Sequence, residues 1–170
     1  LDYITDNKLN PQAIINTHTH IDHILGIKAI QENYKIPFSC HKLDMPVLNN
    51  AVASAMMFGL NFKGQPVADS FITEQELLPI GDEHLKVLLT PGHSPGSIVF
   101  YYPLGKWAIA GDVLFNESIG RTDLPGGNYD TLINSIRQQM FLLPDETIIY
   151  PGHGPSTNIA HEKMYNPFLQ

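Results

Sequence analysis

Four side chains that commonly bind metal ions fall within six residues near the start of the chain: His18, His20, Asp22 and His23. Neutral imidazole nitrogens and a carboxylate oxygen are donors that suit zinc, iron or manganese. A single histidine is more often a core or surface residue. Four donors at this spacing, directly after the apolar run 13–15, are hard to explain without a metal. The sequence therefore predicts a metal site on this segment.

The spacing of these donors also predicts where their side chains point. In an extended chain, side chains two residues apart share a face. We therefore expect His18, His20 and Asp22 on one face at the end of a strand. His23 is expected to point elsewhere as the chain enters a helix over 24–34. This arrangement suits two neighbouring metal ions better than one.

Two similar turns each carry a histidine after a predicted strand. His93 lies in the segment Pro-Gly-His-Ser-Pro-Gly, and His153 lies in Pro-Gly-His-Gly-Pro. Proline fixes φ and glycine permits close backbone approach, so each turn can aim its histidine. Asp112 follows a predicted apolar strand over 106–110. An aspartate there is about as often a turn or cap residue, but beside these histidines it is a candidate bridging carboxylate.

The order of these donors resembles that of the metallo-β-lactamase-fold hydrolase superfamily over residues 17–155. The resemblance implies an αββα sandwich, a four-layer α/β fold with the metals at one edge of its two sheets. It also implies that Asp112 binds both metals. The remaining ligands are then His18, His20 and His93 for the first metal, and Asp22, His23 and His153 for the second.

Within that superfamily the chain resembles the glyoxalase II-like branch, in particular short bacterial members without the C-terminal helical domain. The segments that carry this likeness are 111–115, 120–123 and 165–169. The resemblance implies a binuclear metallohydrolase of a small thioester, such as S-lactoylglutathione. We expect two divalent ions, with zinc as the first choice and iron or manganese as alternatives.

The chemistry expected of such a site is attack on a carbonyl by metal-bound hydroxide. Water between two divalent metals has its pKa lowered from 15.7 towards about 7. By resemblance, Asp22 is expected to orient this nucleophile and accept its proton. Arg121, nine residues after Asp112, is expected to bind a substrate carboxylate. An ion pair between Arg121 and Asp123 is an equally good interpretation.

Two departures from the family pattern affect these expectations. The family normally carries a few strands ahead of the first motif, so we expect an N-terminally truncated single domain over 1–170 with one incomplete sheet. The helical domain that contributes much of the glutathione contact in full-length glyoxalase II is likewise not expected within residues 1–170.

Four other functions compete with the hydrolase interpretation. Persulfide dioxygenases, which use one iron, also resemble the chain at 120–123. A metal-stapled module without catalysis is less favoured, because a structural site needs only four closed ligands. A nuclease or a β-lactamase proper is disfavoured by the acidic balance and by the glyoxalase-like motifs.

Composition limits the class of protein. A net charge of −7 over 170 residues argues against nucleic acid as a partner. No apolar run approaches the roughly 20 residues that span a bilayer, so no membrane partner is expected. The single cysteine, Cys40, excludes an internal disulfide and is consistent with the cytoplasm. We interpret Cys40 as a small buried side chain. The oligomeric state is not predicted.

The elements that must position the donors follow from hydrophobic periodicity. A helix is predicted over 129–143, with Asn128 as its N-cap and Pro144 as its stop. A tail helix is expected around 158–162. Further helices are predicted over 24–34 and 44–58, and strands over 13–17, 36–40, 71–72, 77–80, 84–90, 97–102, 106–110 and 147–150.

Overall fold

The computed structural model describes residues 1–62 and 64–170 and divides them into two compact units, 1–72 and 73–170. Each unit combines a β-sheet with helices, so the predicted mixed α/β class is confirmed. That residues 1–170 act as one domain stays a prediction. Within the described part of the chain, every helix is too short or too polar to cross a membrane.

The first unit is built around a sheet of short parallel strands in the order β1-β2-β3. Its elements, in chain order, are α1 (Asp2–Asp6), β1 (Ile14–Ile15), α2 (Ile21–Ile24), α3 (Ile27–Tyr34), β2 (Phe38–His41), a 3-10 turn (Lys42–Asp44), α4 (Met45–Asn49), α5 (Ala51–Met57) and β3 (Ser70–Ile72).

Both helices predicted in the first unit are interrupted. The predicted helix 24–34 is observed as α2 and α3, which are separated at Leu25 and Gly26. The predicted helix 44–58 is observed as the 3-10 turn, α4 and α5, with a break at Asn50. Glycine and asparagine have low helix propensity, which allows the chain to change direction at these positions.

The core of the first unit packs α2, α3 and α5 against β2. Fully buried members include Ile24, Phe38 and Cys40. Burial, with a smaller contribution from the charge of Asp44, raises the pKa of the Cys40 thiol to about 12. The thiol therefore stays protonated at neutral pH, which confirms the interpretation of Cys40 as a small apolar core residue.

The second unit is built on a six-stranded sheet in the order β11-β10-β7-β6-β5-β4. Neighbouring strands of this sheet are antiparallel, except for β7 and β10, which are parallel. Its elements are β4 (Leu77–Ile80), β5 (Glu83–Leu89), β6 (Ile98–Tyr102), β7 (Trp107–Gly111), β8 (Leu114–Phe115), β9 (Ser118–Ile119), α6 (Tyr129–Ser135), a π-helical turn (Ile136–Met140), β10 (Ile148–Pro151), β11 (Thr157–Asn158) and α7 (Ile159–Tyr165).

The helix predicted over 129–143 is observed as α6 and the π-helical turn, and it ends at Met140. Its apolar stripe, which includes Leu132 and Ile136, is buried in one cluster with residues of the sheet. The helical segment ends three residues before the predicted limit, and Pro144, which cannot continue a helix, lies beyond that end. The hairpin β8–β9 and the strand β11 were not predicted.

We predict that Asn128→Ala lowers the free energy of unfolding by about 1 kcal/mol, a typical effect of removing an N-cap. The Asn128 side chain accepts a hydrogen bond from the Thr131 amide at 2.9 Å and caps α6. The matched control is Asn134→Ala at an exposed position of the same helix, where the free energy should stay within about 0.5 kcal/mol. Urea titration measures both, and equal effects would contradict the cap assignment.

Candidate metal centre

The first unit places three imidazoles close together just after β1. The ring centroids of His18 and His20 are 5.0 Å apart, and those of His18 and His23 are 4.1 Å apart. His18 is buried, with 1% of its surface exposed. Three rings at this distance present several nitrogen donors in one region, which is the composition a divalent metal requires.

The predicted extended arrangement of the donors is wrong for Asp22. Strand β1 ends at Ile15, His20 is the N-cap of α2, and Asp22 and His23 lie inside that helix. Helical geometry therefore sets the position of Asp22, so Asp22 does not share a strand face with His18. The helix still brings Asp22 Oδ2 to 3.5 Å from His23 Nε2.

A buried carboxylate, which the sequence analysis did not identify, holds the loop between His18 and His20. Asp44 is fully buried and accepts hydrogen bonds from the amide and the hydroxyl of Thr19. Asn16 also holds this segment, because its side-chain amide donates to the carbonyls of His18 and His23 at 3.0 and 3.1 Å. A loop held in this way can present its histidines in one orientation.

The second unit holds His93 on the turn that follows β5. Gly92 has φ +130°, a conformation that favours glycine, and a Cβ there would come within 2.3 Å of the Leu132 backbone nitrogen. The Gly92 carbonyl accepts from the Asn128 amide at 2.8 Å. The glycine thus allows the turn to pack directly against the start of α6, which confirms that this turn requires glycine.

Asp112 and His153 lie at the same edge of the sheet, because β7 and β10 are parallel neighbours. The Gly152 amide donates to the Gly111 carbonyl at 2.8 Å and joins the two strand ends. Asp112 Oδ2 lies 3.7 Å from His93 Nε2 and 3.5 Å from His153 Nε2. Two ligands that each lie about 2.1 Å from one tetrahedral metal are about 3.4 Å apart, so these donors fit shared ligation.

The other ring nitrogen of His93 has a defined partner. His93 Nδ1 lies 2.8 Å from the Arg121 carbonyl oxygen. A carbonyl can only accept, so Nδ1 donates to it, and Nε2 is the ring nitrogen that faces Asp112. A hydrogen bond of this kind fixes the tautomer of a metal-binding histidine.

Gly120 makes this contact possible. A Cβ at Gly120 would lie 1.8 Å from the Asp112 carbonyl oxygen and 3.2 Å from His93 Nδ1. The chain before Arg121 can therefore pass between two donor residues only with no side chain at this position. Gly120 belongs to the segment 120–123 that carries the family resemblance, but the sequence alone assigned it no role.

Arg121 forms a bidentate ion pair with Asp123, with two nitrogen–oxygen distances of 2.7 Å. The pair is exposed to solvent, and it raises the pKa of Arg121 and lowers that of Asp123 to about 2. The ion pair expected as one interpretation of Arg121 is therefore observed. The substrate-binding role of Arg121 stays a prediction.

The remaining histidines lie elsewhere in the structure. His41 ends β2 and its ring accepts from the Leu43 amide at 3.3 Å. His84 is exposed in β5. His161 lies in α7, which confirms the expected tail helix, and its Nε2 is 3.0 Å from Glu117 Oε1.

A family model described as "Metallo-beta-lactamase superfamily" matches residues 1–153. The chain is 43% identical over 169 residues to a probable metallo-hydrolase, YqgX, of Bacillus subtilis, covering 98% of this chain and 80% of that protein. It is 36% identical over 173 residues to hydroxyacylglutathione hydrolase GloC of Haemophilus influenzae, covering 98% of this chain and 79% of that protein.

Solved structures are similar over nearly the whole chain. A di-iron-bound form of TTHA1623 matches with a TM-score of 0.91 and 36% identity, covering 98% of this chain and 81% of that one. The BLEG-1 B3 metallo-beta-lactamase matches with a TM-score of 0.87 and 40% identity, over 98% and 81% of the two chains. ETHE1 from Myxococcus xanthus matches with a TM-score of 0.76 and 29% identity, over 98% and 66%.

We predict that Gly120→Ala disturbs both Asp112 and His93, because the added methyl group overlaps the Asp112 carbonyl. The expected result is a metal affinity lower by on the order of tenfold or more, the usual loss when groups that orient ligands are disturbed. The measurement is a competition titration of the metal-free protein with cobalt(II) and a chromogenic chelator.

The matched control for this substitution is Gly26→Ala. Gly26 has an ordinary φ of −92°, and nothing lies within 4 Å of an added Cβ. Its metal affinity should equal that of the wild type. Equal affinities for all three proteins would contradict the role given to Gly120.

Proposed function

The chain belongs to the metallo-β-lactamase superfamily and has its fold, and from this premise we propose that it hydrolyses a small thioester such as S-lactoylglutathione. One observation carries the proposal. A single carboxylate oxygen of Asp112 lies between the Nε2 atoms of His93 and His153, at distances typical of ligands that share a metal. The likeness to a hydroxyacylglutathione hydrolase supports the substrate class.

We propose that two divalent ions are held by the donors predicted from the sequence. His18, His20 and His93 would hold the first ion, Asp22, His23 and His153 would hold the second, and Asp112 would contribute to both. The donor clusters within each unit support this assignment. Histidine and carboxylate donors accept zinc, iron and manganese. The di-iron form of a similar protein makes iron a strong alternative to zinc.

The residues of this chain have separate tasks in the proposed reaction. When bound, divalent ions lower the pKa of coordinated water and polarise a substrate carbonyl. Asp22, with 48% of its side chain exposed, can orient the attacking water and accept its proton. His93 would bind through Nε2, because Nδ1 donates to the Arg121 carbonyl. A thiolate leaves without prior protonation, which suits a thioester.

The proposed partner is a small molecule, and the proposed location is the cytoplasm. The net charge of −7 disfavours nucleic acid. The buried Cys40 thiol fits a reducing compartment. We propose no membrane partner.

The second candidate function is that of a persulfide dioxygenase with one iron. The segment 120–123 resembles that class, and the likeness to ETHE1 fits it as well. The number of metals and the reaction with oxygen separate the two candidates.

The first experiment is elemental analysis of the chain purified without added metal or chelator. About two metals per chain and hydrolysis of S-lactoylglutathione are expected. One iron per chain, with oxygen uptake in the presence of glutathione persulfide, would replace the proposal with the second candidate. Turnover of a chromogenic cephalosporin without thioester hydrolysis would contradict both.

We predict that Asp112→Ala loses metal and activity together, because Asp112 is the proposed bridging ligand. Metal content should fall to one ion or fewer per chain. The rate of hydrolysis should fall by more than about 100-fold, which exceeds the usual effect of mutating a group that only hydrogen-bonds to a metal ligand. The control is Asp82→Ala at an exposed turn, which should match the wild type. Retention of two metals by Asp112→Ala would exclude the bridging role.

We predict that Arg121→Ala raises KM for an anionic thioester and changes kcat little. A guanidinium that only binds the substrate stabilises the bound substrate and the transition state equally. Asp123→Ala is the matched control, since it breaks the same ion pair but leaves the guanidinium in place. Steady-state kinetics and thermal melting are measured for both variants. An unchanged KM in Arg121→Ala would assign the residue to the ion pair alone.

A further inference from the structure

A fully buried carboxylate lies in α7, in a part of the second unit to which no role has yet been given. Glu162 has no exposed surface. One of its oxygens accepts from the Thr157 hydroxyl, and the other accepts from the Glu117 amide at 3.0 Å and the Asn166 side chain at 2.7 Å. A buried polar side chain is costly unless it is hydrogen-bonded, and the donors that satisfy Glu162 come from three separate segments. The segments that Glu162 joins therefore define its role.

One hydrogen bond of Glu162 reaches the turn of the β8–β9 hairpin. Glu117 has φ +53°, a left-handed conformation that is unfavourable for a residue with a side chain. Its amide is the group that Glu162 holds. Asn166 is also fully buried, and its side chain donates to the Ser118 carbonyl at 3.0 Å. Two side chains from the C-terminal segment thus hold adjacent residues of one turn.

The hairpin connects two residues of the candidate metal centre. Asp112 lies two residues before β8 begins, and Arg121 lies two residues after β9 ends. Between the hairpin and Arg121, the Gly120 amide donates to the Val113 carbonyl at 3.3 Å. The turn is therefore connected by short strands to the Asp112 backbone on one side and to the carbonyl that accepts from His93 on the other.

We propose that Glu162 and Asn166 are positioning residues for the metal centre and act through the β8–β9 hairpin. They hold the turn so that the Arg121 carbonyl meets His93 Nδ1 and Gly120 packs against Asp112. The proposal rests on the proposed function in that His93 and Asp112 are taken as metal ligands. Glu162 is not itself a ligand, because three donors already occupy its two oxygens.

The test compares Glu162→Ala, Glu162→Gln and Asn158→Ala in the full chain. Glu162→Ala removes the bonds to the turn. Glutamine can keep them, because its oxygen can face Glu117 and Asn166 while its amide donates to Thr157. Asn158→Ala removes the N-cap of α7, where the side chain accepts from the His161 amide at 2.9 Å, and leaves the hairpin bonds in place. It controls for loss of helix stability.

The readouts are the His93 tautomer, from nitrogen-15 shifts of the imidazole in the metal-free protein, and the affinity for cobalt(II). We expect a single Nδ1–H tautomer in the wild type, in Glu162→Gln and in Asn158→Ala. Glu162→Ala should show mixed tautomers and an affinity lower by on the order of tenfold. Thermal melting measures the loss of stability in each variant. Asn158→Ala should lose stability as Glu162→Ala does, but it should keep the wild-type tautomer and affinity.

A wild-type tautomer and affinity in Glu162→Ala would overturn the proposal and leave Glu162 a purely structural residue. If Glu162→Ala does not fold, Asn166→Ala decides by the same two readouts. It removes the bonds that Asn166 donates to Ser118 and to Glu162, and it keeps the bond between Glu162 and the Glu117 amide. The tautomer is read without metal or substrate. Absence of thioester hydrolysis or of metal binding in the wild type would therefore count against the proposed function, while the tautomer comparison still decides this inference.

Discussion

The hydrogen bond from His93 Nδ1 to the Arg121 carbonyl is the constraint on which much of the second unit depends. It fixes which nitrogen of His93 faces Asp112, and it requires the chain to return to His93 within nine residues of Asp112. The short β8–β9 hairpin provides that return. Gly120 provides the space, because a side chain there would overlap the Asp112 carbonyl. The tight local geometry follows from the need to orient one imidazole.

The first unit meets the same need with different groups. Its histidines lie in a loop and a short helix, and Asp44 holds the loop through both hydrogen-bonding groups of Thr19. Each unit contains a fully buried carboxylate that holds a loop or turn: Asp44 holds Thr19 in the first, and Glu162 holds the β8–β9 turn in the second. Buried carboxylates are costly but directional, because several backbone and side-chain donors can converge on one group.

Exposure differs among the proposed ligands in a way that bears on the chemistry. His18 and His93, which are assigned to the first metal, expose 1% and 2% of their surface. Asp22 and His153, assigned to the second, have side chains 48% and 57% exposed. A metal held by exposed donors exchanges with solvent more readily than one enclosed by protein. Occupancy of the second position is also what separates a binuclear hydrolase from a mononuclear dioxygenase.

The sequence by itself determined the donor types and their order, because metal preference is a property of the side chains. It also determined the existence of α6 and its cap at Asn128, because helix periodicity and capping are local. The tertiary structure decided that Asp22 lies in a helix, that Arg121 pairs with Asp123, and that a hairpin follows Asp112.

The partners of His93 and Glu117 were likewise decided by the tertiary structure, at separations of 28 and 45 residues along the chain. No local sequence pattern encodes contacts between residues so far apart in the chain, because such contacts depend on which strand ends the sheet brings together.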